Sequence, residues 1–133
     1  MLVRTEEVRQ VPSEPATAVR VRSAVGTAVV RRHGTPEDVG REHHVEWTVD
    51  EDLVRAENTW PAASGPPGFR EDGDHIVFRG RLSPTGDGSA LLDVGGALLL
   101  FELAVAPPPG VVDTAWVEVR VGRESVGLWP YRL

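Results

Sequence analysis

The sequence feature that most constrains the fold is the pair Gly95-Gly96 between two apolar segments. Two successive glycines are typical of the two-residue turn of a β-hairpin, because glycine adopts the positive φ values that such a turn needs. The turn fixes which residues face each other, namely Val94 with Ala97, Leu92 with Leu99, and Ala90 with Phe101. The sequence therefore predicts antiparallel strands over residues 89–94 and 97–103.

The two faces of this hairpin differ in polarity. The face that contains Leu92, Leu99 and Phe101 is apolar throughout, so we expect it to be buried. The opposite face is apolar only in its middle, since its residues are Ser89, Leu91, Asp93, Leu98, Leu100 and Glu102. We expect neighbouring parts of the chain to cover this second face partly.

Composition extends the β prediction to the whole chain. The 133 residues include 14 glycines and 11 prolines, so the Val-rich and Leu-rich apolar segments are many and short. Alternation within residues 16–32, 41–50 and 75–82 predicts half-buried strands, the first with a bend at Gly26. We predict a single all-β domain over residues 1–133, a small β-barrel (OB-like) or a β-sandwich. It would have six to eight mostly antiparallel strands and at most one or two short helical turns.

The last third of the chain resembles small OB-type barrels. It contains a strand through RGRL, a Gly-bearing hairpin, a break at APPPG and a closing hairpin. The resemblance covers about half the chain and implies a barrel fold. The resemblance does not predict a function, because oligonucleotide-binding barrels have a more basic binding face than this chain would offer. At the other end, residues 1–15 are expected to be a loose arm or an edge strand.

The aromatic residues indicate a binding surface. In the closing hairpin, Gly122 suits a type II′ turn, and the parity of the strands places Trp116, Trp129 and Tyr131 on one face. Residues 59–74 are expected to form a long Pro/Gly-rich loop that carries two further aromatic residues. Large aromatic side chains anchor protein interfaces. We therefore predict partner-binding roles for Trp116, Trp129, Tyr131, Trp60 and Phe69.

Two groups of ionisable residues could carry chemistry. Glu42, His44 and Glu46 share one face of a strand at a spacing typical of metal ligands or of an ordinary solvated face, and we favour the solvated face. Near Asp72-Gly73, Asp74 and His75 are better explained by a turn. His44, Glu46, Asp74 and His75 remain the catalytic candidates of an alternative hypothesis. We expect no metal and no cofactor, and we expect residues 85–89 to form a hairpin loop rather than a phosphate-binding loop.

Charge narrows the classes of partner. The formal net charge of −6 disfavours binding to nucleic acid or to an anionic membrane. The chain contains no cysteine and no long apolar run, so a cytoplasmic location is expected. We predict a non-enzymatic binding module with a protein partner or self-association, for example an inhibitor or immunity-type protein. The alternative is a small β-barrel enzyme or small-ligand carrier with a pocket near residues 59–74.

Overall fold

A computed structural model of the chain describes residues 2–7, 18–32, 42–63, 65–105 and 114–130, and the side chains of residues 20–30, 45–63, 65–105 and 114–129. These residues form a mostly antiparallel all-β structure of eleven strands with one 3-10 turn. The strands are β1 (Leu2–Glu7), β2 (Ala18–Ser23), β3 (Gly26–Arg32), β4 (Glu42–Val49), β5 (Thr59–Pro61), β6 (Gly68–Asp72), β7 (His75–Pro84), β8 (Ser89–Val94), β9 (Ala97–Glu102), β10 (Ala115–Gly122) and β11 (Val126–Pro130).

The all-β prediction is confirmed, and the predicted number of strands was too low. The missing strands lie in segments that were expected to be loops or single long strands. No helix in the described part of the chain is long and apolar enough to cross a membrane.

The first four strands and the last one form one half of the pairing network. β1 pairs antiparallel with β2 on one edge and with β4 on the other. β2 continues to β3, and β11 pairs antiparallel with β4 and parallel with the end of β3. Residues 2–7 are therefore an interior strand, rather than the loose arm or edge strand expected for residues 1–15.

Residues 16–32 do not form one bent strand. A turn at Ala24 and Val25 divides them into the β2–β3 hairpin. Gly26 begins β3 and lies directly against the backbone of Phe69, where a Cβ atom at position 26 would stand 2.1 Å from the Phe69 carbonyl oxygen. The glycine therefore permits a close approach of β3 and β6, which pair in parallel at this point.

The segment 59–74 is not a long loop. It contributes β5 and β6, and β6 turns into β7 through Gly73 and Asp74, the turn that the Asp72-Gly73 dipeptide predicts. Phe69 lies opposite Phe78 in this pairing, and its side chain is buried. The prediction that Phe69 binds a partner is therefore corrected, because in this fold Phe69 is a core residue.

β7 organises the second half of the pairing network. One edge of β7 pairs with β10 along its length, and the other edge is shared between β6 and β8. β8 continues into β9 with the predicted register, and both turn glycines have positive φ, 63° for Gly95 and 98° for Gly96. Leu92, Leu99 and Phe101 are buried together, as predicted.

The outer face of the β8–β9 hairpin departs from the prediction. Leu98 and Leu100 are 60% and 57% exposed, so nothing in the described part of the chain covers them. The alternation of β9 is complete, because each inward side chain is buried and each outward one is exposed.

The predicted closing hairpin does not form. β10 pairs with β7 and β5, whereas β11 pairs with β4 and β3, so the two strands belong to different halves of the network. Gly122 has φ −63° and ψ 139°, which is extended backbone rather than the positive φ of a type II′ turn. The 3-10 turn Arg123–Ser125 carries the chain from one half to the other. The valines of β10 and the inward residues of β11 still share the core, as predicted.

One carboxylate holds this crossover in place. Glu51 accepts hydrogen bonds from the Gly122 backbone N–H and the Ser125 hydroxyl, both at 3.1 Å. The Asp50 backbone N–H donates to the Ser125 carbonyl at 2.8 Å. The segment that follows β4 therefore fixes the connection between β10 and β11.

We predict that Leu99→Ala lowers the free energy of unfolding by about 2–5 kcal/mol, because the substitution leaves a cavity in the core. The matched control is Leu98→Ala, on the same strand with an exposed side chain, which should change that free energy by less than about 0.5 kcal/mol. Urea unfolding of both variants at a low protein concentration, where contacts between molecules do not contribute, measures the difference. Equal effects at the two positions would contradict the register.

We predict that Gly26→Ala destabilises the protein by about 1–3 kcal/mol, since the added methyl group meets fixed backbone atoms of Phe69. The control is Gly122→Ala, where the added methyl group meets only the end of the Glu124 side chain, which can move. Thermal unfolding compares the two variants, and an unchanged midpoint for Gly26→Ala would rule out the close approach of β3 and β6.

Candidate partner-binding surface

The outer face of the second half of the network presents a row of four side chains. Cross-strand pairing places Trp116 beside Arg81, Arg81 beside Asp93, and Asp93 beside Leu98. Side chains of directly opposed residues point to the same face of a sheet. The row therefore runs from β10 through β7 and β8 to β9, and it ends in an exposed leucine.

A second row lies next to the first. Ser83 pairs with Leu91, and Leu91 pairs with Leu100. Leu91 is half-buried, whereas Leu100 is exposed. Together with Leu98 these residues form a continuous apolar surface, which we call the outer leucine patch (Leu91, Leu98 and Leu100).

The outer leucine patch lies beside unpaired backbone. Within strands, β9 pairs only with β8 in the described part of the chain. A two-residue turn is closed by a hydrogen-bonded pair, so Ala97, Leu99 and Phe101 direct their N–H and C=O groups toward β8. The same groups of Leu98 and Leu100 point away from the hairpin.

The segment around Leu53 supports this alternation in the direction of the backbone N–H and C=O groups of β9. The Leu53 backbone N–H donates to the Glu102 carbonyl at 2.9 Å, and the Ala104 N–H donates to the Leu53 carbonyl at 3.1 Å. Leu53 thus occupies the outward edge of β9 at its end. Among the described residues, no backbone hydrogen bond reaches the outward groups of Leu98 and Leu100.

The predicted aromatic face is divided between two places. Trp116 is half-buried, with the guanidinium of Arg81 5.4 Å from its ring centre. Trp129 is 46% exposed and lies on β11 opposite Glu46 of β4. The prediction that they share one hairpin face is wrong because β10 and β11 do not pair. Tyr131 lies outside the described residues.

Trp60 is the aromatic residue at the far edge of the network. It lies on β5 opposite Glu118, and its ring is partly exposed. Glu118 in turn forms an ion pair with Arg70 at 3.4 Å. Trp60 and Trp129 are therefore separate exposed aromatic side chains outside the outer leucine patch, and their roles in binding stay predictions.

The three catalytic candidates whose side chains the structure describes, Glu46, Asp74 and His75, are not grouped into one site. Asp74 lies in the turn between β6 and β7, with a carboxylate oxygen 2.6 Å from Nδ1 of His75. Glu46 is exposed in the middle of β4, and no hydrogen bond or ion pair joins it to either residue. His44 pairs through its backbone with Leu2, and its side chain lies outside the described ones. No three His, Cys, Asp or Glu residues in the described ranges are grouped as metal ligands would be.

The loop between β7 and β8 is a hairpin loop, as predicted. The Thr85 hydroxyl and the Ser89 backbone N–H both donate to the carboxylate of Asp87. These hydrogen bonds stabilise the charged form, with the Thr85 hydroxyl the larger cause, and hold the pKa of Asp87 below its ordinary value of 3.8.

We predict that Thr85→Val raises the pKa of Asp87 toward its ordinary value, because the main donor to its carboxylate is removed. Since the pKa is lower in the folded chain than in the unfolded one, the contribution of Asp87 to stability is present at neutral pH. It is lost as the pH falls through the folded-state pKa. Carboxyl NMR titration measures the shift, with Thr114→Val as the control, since Thr114 bonds Ser83 instead. An unchanged Asp87 titration in Thr85→Val would show that the hydroxyl does not donate.

Comparison with known proteins gives no assignment for this surface. No protein-family model matches the chain, and neither a curated protein nor a solved structure matches it. Its function is therefore inferred from the outer leucine patch, the free edge of β9 and the charges around them.

Proposed function

We propose that this chain is a non-enzymatic binding module whose contact surface for a protein partner is the outer leucine patch with the adjacent edge of β9. The observation that carries the proposal is the exposure of Leu98 and Leu100, two neighbouring leucines on one face of a strand. Exposed apolar side chains that are contiguous mark protein contact surfaces more often than isolated ones do.

The backbone beside the patch favours a protein partner over a small ligand. A free strand edge offers a regular series of N–H and C=O groups, which an extended segment of another chain can match. The leucines alternate along that edge and so provide apolar contacts at the same spacing. Both features suit an extended polypeptide partner.

Charged residues border the outer leucine patch, and this arrangement favours a protein partner. Arg81 and Asp93 lie between Trp116 and Leu98, and Glu102 follows Leu100 on the same strand. A polar rim around an apolar centre is the usual composition of a protein interface. We also propose a cytoplasmic location, which the composition favours, and an inhibitor or immunity-type protein is one example of such a module.

We propose that β1 to β4 and β11 form a small OB-like barrel. It is supported by the succession of pairs from β3 through β2, β1 and β4 to β11, with β11 returning in parallel to the end of β3. NMR contacts between Arg32 and Leu128 test the closing pair, and their absence would leave the sheet open.

Site-specific photo-crosslinking in the cell of origin tests the proposed function. A photoreactive amino acid replaces Leu98 in one variant and Thr48 in a matched control, because Thr48 is exposed on a strand of the other half of the network. We expect defined protein adducts from position 98 and none from position 48. Adducts at neither position, or at both alike, would overturn the proposal.

A further inference from the structure

We propose that the partner at the β9 edge is a second copy of this chain, joined by antiparallel pairing of the two β9 strands across a two-fold axis at Leu99. This inference rests on the proposed function, because it names the occupant of the same surface. It follows from the symmetry of the three leucines of β9 about Leu99, from the direction of the free backbone groups of this strand and from the absence of charge over residues 94–101.

The three leucines of β9, Leu98 to Leu100, are symmetric about Leu99. Leu98 and Leu100 flank it on the outer face, and Ala97 and Phe101 flank it on the inner face. In antiparallel pairing centred on Leu99, Leu98 of one copy lies opposite Leu100 of the other, and Ala97 lies opposite Phe101. Leucine therefore meets leucine on the outer face, and a small residue meets a large one on the inner face.

The free backbone groups fit the same register. Leu98 and Leu100 direct their N–H and C=O groups away from β8 and have no backbone partner among the described residues. In an antiparallel pair, a residue whose N–H and C=O groups point toward the neighbouring strand exchanges two N–H···O=C hydrogen bonds with the residue directly opposite. Leu98 of each copy can thus bond Leu100 of the other. Leu53 confines the ladder to these residues, since it already bonds Glu102.

The paired region is short, because Leu53 already occupies the edge of β9 beside Glu102. The part of the second copy that approaches Glu102 and Leu53 in this register is the Gly95-Gly96 turn, where the strand ends and where Gly96 is exposed and carries no side chain. The space around a Cβ atom built at Gly96 is open to 4 Å. The two glutamates are therefore kept away from each other in this register.

Charge also favours a partner that is apolar along this strand. Residues 94–101 contain no charged side chain, although the chain as a whole has a formal net charge of −6. The repulsion between two such chains comes from groups outside the paired strands and is screened at physiological ionic strength over about 8 Å. We therefore expect self-association to strengthen as salt is added.

Sedimentation velocity over a range of concentrations tests the pairing. Leu98→Lys and Leu100→Glu should each weaken self-association about tenfold or more, because each places a charge against a leucine. An equimolar mixture of the two variants should associate again. In the antiparallel register, position 98 of the first variant meets position 100 of the second, while the remaining two leucines meet each other.

A second mixture serves as the matched control. Leu98→Lys with Leu98→Glu carries the same charges, but the two substituted positions are not opposite each other in the proposed register, so association should not be restored to the same extent. Equal restoration in both mixtures, or none in the first, would overturn the register. Thermal midpoints that match the wild-type chain at concentrations where every chain is monomeric show that each variant is folded, as expected for substitutions at exposed positions.

The inference and the proposed function can fail separately. If the wild-type chain stays monomeric at all concentrations and crosslinks from position 98 identify a different protein, the second copy is excluded and the binding surface stands. If the chain associates but Leu98→Lys and Leu100→Glu leave association unchanged, the contact lies elsewhere and this inference fails.

Discussion

The contact between Trp47, Phe69 and Phe78 is the interaction on which the arrangement of the strands depends. Trp47 lies on β4, Phe69 on β6 and Phe78 on β7, and their ring centres are 5.2 to 6.3 Å apart. The two contacts of Trp47 are edge-to-face, which is the preferred geometry for aromatic rings. The two halves of the pairing network thus share one core, and β9 is placed with its inward side chains in that core.

The crossover from β10 to β11 makes the sharing of the core obligatory. Because the chain leaves β7 and β10 and returns to β3 and β4, neither half can be completed without the other. Glu51 fixes the crossover through the Gly122 N–H and the Ser125 hydroxyl. The outer face of β8 and β9 has no comparable covering in the described residues, and this leaves its leucines exposed.

The parts of the fold that local chemistry determines could be predicted from the sequence. Gly95-Gly96 specifies a turn, and the turn specifies the register of β8 and β9. The alternation in residues 41–50 correctly predicted a half-buried strand with Glu46 on its exposed face. In each case the information lies within a few residues of the element.

Some errors arose where the partner strand is distant in sequence, and others where a local hairpin, such as β2–β3 or β6–β7, had no clear signal in the composition. The turn signal at Gly122 fits a hairpin or a crossover equally, and only the pairing of β11 with β3 and β4 decides between them. The Pro/Gly-rich composition of residues 59–74 gave no indication of β5 and β6. The sequence prediction therefore placed Phe69 in a loop, whereas in the structure it lies in the core.

The candidate site was only partly predictable, because its exposure depends on parts of the chain that are distant in sequence. The alternation showed that Leu98 and Leu100 share a face, but their exposure depends on whether another layer covers them. That information is not in the hairpin itself.

Amide hydrogen exchange of β9 at two protein concentrations tests the central claim most directly. The amides of Leu98 and Leu100 point away from the hairpin, whereas that of Leu99 bonds to β8. We expect Leu98 and Leu100 to exchange rapidly in dilute solution and to become protected as the concentration is raised, whereas Leu99 should be protected at both concentrations. Exchange at Leu98 and Leu100 that does not depend on concentration would contradict pairing with a second copy.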